Sequence, residues 1–151
     1  KDLQGKIWKQ GYTHGEIKSI LFNETAGCLD QWKSMGLILG VYSSGSIEAQ
    51  KLLYQYSTSG DLRSAFSYWF DTYVGAKKEK KSYQTICKKM TQDPSKVLFI
   101  SDSLDECDAA QQAGLKTQFR ICQDNPQQHH KRHPVIETLS ETTTYIKLQN
   151  S

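Results

Sequence analysis

The 151-residue sequence has no apolar run long enough to cross a bilayer, and no membrane partner is expected. No signal peptide is recognisable in it. It has no arginine-rich stripe and no interleaving of basic with aromatic residues. With a net charge of only +3 and a pI near 8.6, nucleic acid is not an expected partner either. The four cysteines, Cys28, Cys87, Cys107 and Cys122, never stand at C-x-x-C spacing, and three lie within apolar helix or strand patterns. Buried, reduced thiols in a reducing compartment are the expectation. Internal repeats, low-complexity blocks and a linker that would divide the chain into two globular halves are also missing. Methionine is missing from position 1; Lys1 runs directly into a helical pattern, which raises the expectation of a fragment or a processed chain.

What is present is an ordinary soluble balance, 37% hydrophobic and 23% charged, in a chain long enough for one domain with a core. Leu3, Ile7 and Trp8 share one side of a helical stretch. Asn23 is a candidate N-cap for a helix in which Cys28, Leu29, Trp32 and Met35 recur on one face, stopped by Gly36. Leu37 to Tyr42 is apolar on both faces, as in a parallel strand buried between helix layers. A helix marked by Ile47, Leu52, Leu53 and Tyr56 starts just after Gly45, and Phe70 to Val74 reads as a short strand. Tyr83, Ile86, Cys87 and Met90 mark the next helix, and Asp93-Pro94 breaks the chain. KVLFISD is a second apolar strand, ending on Asp102; the helix after it runs from Asp105 to Ala113 and ends at Gly114. Lys116 to Cys122 reads as the last strand. The polar stretch QDNPQQHHKRHP reads as a loop, with His129, His130 and His133 solvated rather than holding a metal, and the tail VIETLSETTTYIKL has one weak apolar element. Strands alternating with helices predict an α/β fold with a parallel sheet flanked by helices.

Ligands of open parallel sheets bind beyond the carboxyl ends of the strands. The first strand delivers Ser43, Ser44 and Gly45 and then a helix N-terminus, which offers hydroxyl and backbone donors and a favourable dipole to an anion. The second leads through Gly75 to Lys77, and the third delivers Asp102, with Asp105 and Glu106 close behind. Each feature alone reads as turn chemistry, a solvated lysine or a helix cap. In order, at successive strand ends, they suit a phosphate and a hard divalent cation.

The order strand–Ser, then Lys, then strand–Asp resembles the motifs of haloacid dehalogenase superfamily phosphohydrolases. More specifically, LQGKIW, GYTHGEIK, VYSSGSIEAQKLL, FDTYVGAKKEKKSY and LFISDSLDECDAA resemble stretches of the enolase-phosphatase (acireductone synthase) family of methionine salvage, over most of residues 2 to 114. The resemblance implies a haloacid dehalogenase-like (Rossmann-like) core over residues 23 to 151, with residues 1 to 22 the tail end of a helical cap. It implies a cytoplasmic, Mg²⁺-dependent enzyme that converts 2,3-diketo-5-methylthiopentyl phosphate to the acireductone and phosphate. Ser43 and Ser44 would then bind the substrate and its phosphoryl oxygens, and Lys77 would neutralise charge at the reacting centre. Asp102 would ligate Mg²⁺, Glu106 would brace that shell in a D-x-x-x-E spacing, and Asp105 would be a cap. The same cation would polarise the dicarbonyl for enolisation.

The family's nucleophile is an aspartate in a D-x-[DE]-G-T motif on the first, central strand, and this sequence contains no such motif. The expectation is therefore that these 151 residues alone are inactive and form half of a structure or a repacked one, unless a second polypeptide supplies the missing strand. Two other readings stand beside this one: a different phosphatase of the superfamily, and a non-catalytic fragment acting as a binding module.

Overall fold

A computed structural model describes residues 25–121 and 132–149. The expected cap remnant, Asn23, Cys122, His129 and His130 lie outside the described residues. The chain divides into two compact units, Lys1–Tyr73 and Val74–Ser151. No flexible linker marks that boundary; it falls within the short FDTYVGAK stretch, where composition alone gives no sign of a division. No helix among the described residues is long and apolar enough to cross a membrane.

In the first unit, helix α1 (Thr25–Ser34) buries Cys28, Leu29 and Trp32, the face its spacing sets. Gly36 at φ +81° ends it, and the Leu37 N–H turns back to the Trp32 carbonyl at 3.1 Å. Strand β1 (Gly40–Tyr42) leads into helix α2 (Ile47–Gln55) and pairs in parallel with β2 (Tyr68–Phe70), Tyr42 opposite Phe70. The predicted strand from Phe70 to Val74 is thus displaced. Backbone pairing stops at Phe70 because the Asp71 carboxylate accepts the Tyr73 N–H at 2.9 Å and folds Thr72–Val74 into a 3₁₀ turn. Tyr54, Phe66 and Trp69 meet edge to face, with centroids 4.7 to 5.7 Å apart, and tie α2 to the β2 segment.

The second unit holds helix α3 (Lys80–Met90), strand β3 (Leu98–Ser101), helix α4 (Leu104–Gln112), strand β4 (Lys116–Arg120), strand β5 (Val135–Ile136) and helix α5 (Leu139–Gln149). The three strands form a parallel sheet in the order β3-β4-β5. Its core is Tyr83, Ile86, Cys87, Cys107, Ala109, Ala110, Leu115, Phe119 and Ile136, with the Tyr83 ring edge-on to Phe99 at 4.9 Å. Sequence periodicity did not foresee β5. Two residues are too short for a period-2 signal, and they are strand only because β4 offers them a ladder.

Two further expectations fail. The strand ending at Tyr42 was expected to be buried on both faces. Every residue of β3 is only partly buried, Gly40 is exposed, and Ile38 just before β1 is 49% exposed. By contrast β4, with a strand on each side, buries Thr117, Gln118 and Phe119. Both half-covered strands have one strand neighbour among the described residues, and that is the physical difference. His133, expected in solvent, is buried: its ring meets the Thr117 hydroxyl through Nδ1 and Asp108 through Nε2, each at 2.7 Å. Asp108 also holds Arg132 at 2.8 Å, so Arg132 and His133 tie the start of β5 to β4 and α4. His133→Ala strands the buried Thr117 hydroxyl and takes from Asp108 one of its two partners, and urea unfolding is expected to report a loss of about 2 kcal/mol. An unchanged midpoint would show that these bonds contribute nothing.

Candidate functional site

The sequence-predicted residues fall on both units, and each set is built within its own unit. At the carboxyl end of β1, Ser43 continues the β2 ladder for one bond, its N–H donating to the Phe70 carbonyl at 3.2 Å. The chain then turns. The Gly45 N–H donates to the Ser43 hydroxyl oxygen at 3.2 Å, so that oxygen is an acceptor and its proton can donate outward. Ser44 is exposed, and Ser46 caps α2 by accepting the Ala49 N–H at 3.1 Å. The loop ends on a helix N-terminus, as the sequence predicts, and Glu48 stands in its first turn. Sequence reasoning missed Gln50, which is 6% exposed beneath this loop. Its one available signal is an amide at an inward position of a helix whose other inward residues are apolar.

In the second unit Lys77 and Glu106 meet directly. The ammonium reaches Glu106 Oε1, which is buried with no neutral donor among the described residues, while Oε2 accepts the Ser101 hydroxyl at 3.0 Å. The Lys77 side chain is 28% exposed and that of Glu106 9%, so the pair is partly desolvated. The backbone around Lys77 is fixed from α3: the Ser82 hydroxyl donates to the Ala76 carbonyl and the Tyr83 hydroxyl to the Lys77 carbonyl, each at 2.6 Å. Ser101, also unforeseen, accepts the Ser103 N–H at 3.1 Å as well as holding Glu106. Asp102 stands exposed just beyond β3. The expected capping role of Asp105 is corrected. Ser103 caps α4 by accepting the Glu106 N–H at 3.4 Å, because it alone precedes the first helical residue. Asp105 pairs instead with Lys78 at 3.5 Å, both side chains about two-thirds exposed, a contact worth little.

Cys107 lies beneath this turn with no exposed surface, and burial, aided by the neighbouring Glu106 charge, pushes its thiol up to about 12. Native protein at pH 8 is expected to resist iodoacetamide at Cys107, whereas urea-unfolded protein reacts; peptide mapping reads the difference. The folded state keeps a proton that the unfolded chain releases near 9.0, so this contribution to stability is intact below about pH 9 and is lost as pH rises toward 12. Rapid native alkylation would contradict this burial.

Residues 3–114 match the family described as haloacid dehalogenase-like hydrolase, and the chain belongs to it. Within that class the chain is 50% identical over 97% of its length to a protein of Synechococcus sp. (strain CC9902) named enolase-phosphatase E1. It is 47% identical over 86% of its length to the protein of that name from Klebsiella oxytoca. It spans about 60% of the length of the former and 57% of the latter. Among solved structures it resembles the UTR4 protein of Saccharomyces cerevisiae, with a TM-score of 0.83 and 30% identity, over 93% of this chain and 65% of that one. A dehalogenase at 22% identity and TM-score 0.71 shares the fold, over 83% of this chain and 56% of its own.

The family implies a magnesium ion. Among the described residues no three carboxylate, imidazole or thiol groups gather to hold a metal by themselves. Magnesium does not need such a cage: it keeps several waters and takes one or two carboxylates together with substrate phosphate. An exposed carboxylate at a strand end, Asp102, fits that chemistry. Glu106 is held by Lys77 and Ser101.

Proposed function

We propose that the chain carries the phosphate- and cation-handling residues of a magnesium-dependent enolase-phosphatase of methionine salvage, acting in the cytoplasm on 2,3-diketo-5-methylthiopentyl phosphate. Identity near 50% along nearly the whole chain to proteins named enolase-phosphatase E1 carries this reading. Ser43, whose oxygen is already an acceptor, donates its proton to a phosphoryl oxygen, and Ser44 adds a second hydroxyl. Lys77 keeps ammonium protons for the phosphoryl group while Glu106 fixes its direction. Asp102 holds the ion, which when bound neutralises phosphate charge and polarises the dicarbonyl. The attacking carboxylate comes from a segment bearing D-x-[DE]-G-T, which is not among these residues and which a second polypeptide can supply.

A substrate panel tests the assignment. With the nucleophile segment supplied, the diketo phosphate is expected to be hydrolysed with a kcat/KM at least a hundredfold above that for simple sugar phosphates. The reverse preference would point to another phosphatase of the family.

A further inference from the structure

Beneath the Ser43–Ser46 loop, the Gln50 side-chain amide donates to the Gly45 carbonyl at 2.9 Å and to the Phe70 carbonyl at 2.8 Å. Phe70 also accepts the Ser43 N–H, so one side chain fastens the far end of the loop to the same β2 carbonyl that holds its start. The bond to Gly45 has a geometric consequence. A trans peptide unit is planar, with its C=O and N–H antiparallel, and the chain has no cis peptide bonds among the described residues. The Gly45 carbonyl points inward at buried Gln50, so the N–H of Ser46, in the same peptide plane, points away from the interior. No acceptor among the described residues meets that N–H. The other end of the amide argues that packing alone does not account for the residue. Gln50 Oε1 is buried without a partner among the described residues, a cost that an isosteric methionine would avoid.

We propose that Gln50 is a positioning residue for the phosphate loop: it holds the Gly45 carbonyl inward and so presents the Ser46 N–H as a backbone donor to a phosphoryl oxygen, beside the Ser43 and Ser44 hydroxyls. This rests on the phosphatase reading above and goes beyond it in naming both the donor and the side chain that aims it. An N–H at the start of α2 is also where the helix dipole favours an anion.

The test is amide NMR of the 151-residue chain titrated with inorganic phosphate, for the wild type, Gln50→Met and Gln50→Glu. In the wild type the Ser46 amide is expected to shift with saturable phosphate binding. Gln50→Met removes both donors at nearly constant volume, and Gln50→Glu sets a carboxylate against two carbonyls. Each is expected to weaken phosphate binding at least tenfold and abolish the Ser46 shift, with the β4 and α4 resonances unmoved. Phosphate binding within twofold of wild type in a folded Gln50→Met protein would overturn the inference. So would a wild-type Ser46 amide that stays still while those of Ser43 to Gly45 move, a result that needs no variant. Absence of any phosphate-dependent shift across residues 43 to 46 would overturn the phosphatase reading along with it.

Discussion

Replacing Lys77 with methionine is expected to lower stability by about 3 kcal/mol, a large fraction of the margin of a chain this size. The variant leaves the Glu106 carboxylate, only 9% exposed, with the Ser101 hydroxyl as its one described side-chain partner. Breaking a fully buried pair by removing one member costs about 3–5 kcal/mol, and the 28% exposure of Lys77 places this pair at the low end. Glu106→Gln keeps an acceptor for Ser101 and removes the stranded charge, so it is expected to cost about 1 kcal/mol. The double variant Lys77→Met/Glu106→Leu is expected to recover most of the loss. Urea unfolding of the three variants reads this directly. A Lys77→Met protein within 0.5 kcal/mol of wild type, roughly the ordinary surface range, would show the pair to be solvent-screened. With the nucleophile segment supplied, Lys77→Met is also expected to lower kcat about a hundredfold or more, the usual cost of losing one charge-stabilising donor.

Gly75→Ala is the second substitution with a large effect. Gly75 sits at φ +135°, backbone that side-chain-bearing residues rarely adopt. A Cβ there would lie 2.3 Å from the Ser82 hydroxyl oxygen and 3.2 Å from Ser82 Cβ. Ser82 cannot easily give way: it is 1% exposed and its hydroxyl holds the Ala76 carbonyl. Strain and overpacking each cost about 1–3 kcal/mol, so about 3 kcal/mol or more is expected. Adding Ser82→Gly removes the clash but not the strained φ and should restore only part of the loss. Full recovery would assign the whole effect to the clash, and no loss in the single variant would mean the loop can shift freely. The glycine matters to function because Lys77 follows two residues later, and its carbonyl is tied to Tyr83.

Much of this was legible in the sequence, for physical reasons. The helices were readable because their apolar spacing is long enough to count: Cys28, Leu29 and Trp32 are buried in α1, and Tyr83, Ile86 and Cys87 in α3. The strand ends before Ser43 and Asp102 were readable because an apolar run meets a polar residue there. The Lys77–Glu106 contact was not, since spacing gives the helical turn of Glu106 but no sign of which cation reaches it. Gln50, Ser101 and His133 stayed hidden because each acts through a buried hydrogen bond, and a polar residue on paper does not show whether it faces water or a carbonyl. The burial of β1 was misjudged for a related reason. Apolar composition shows what a strand would bury, whereas neighbours decide what it does bury, and β1 has one strand partner among the described residues.

The most direct test of the central claim is phosphate release from the diketo phosphate by the 151-residue chain, assayed alone and with a polypeptide carrying a D-x-[DE]-G-T segment. The prediction is no turnover above background alone and Mg²⁺-dependent turnover when the segment is supplied. Turnover by the chain alone at the level of the complemented protein would contradict it, because the attacking group would then lie among these residues.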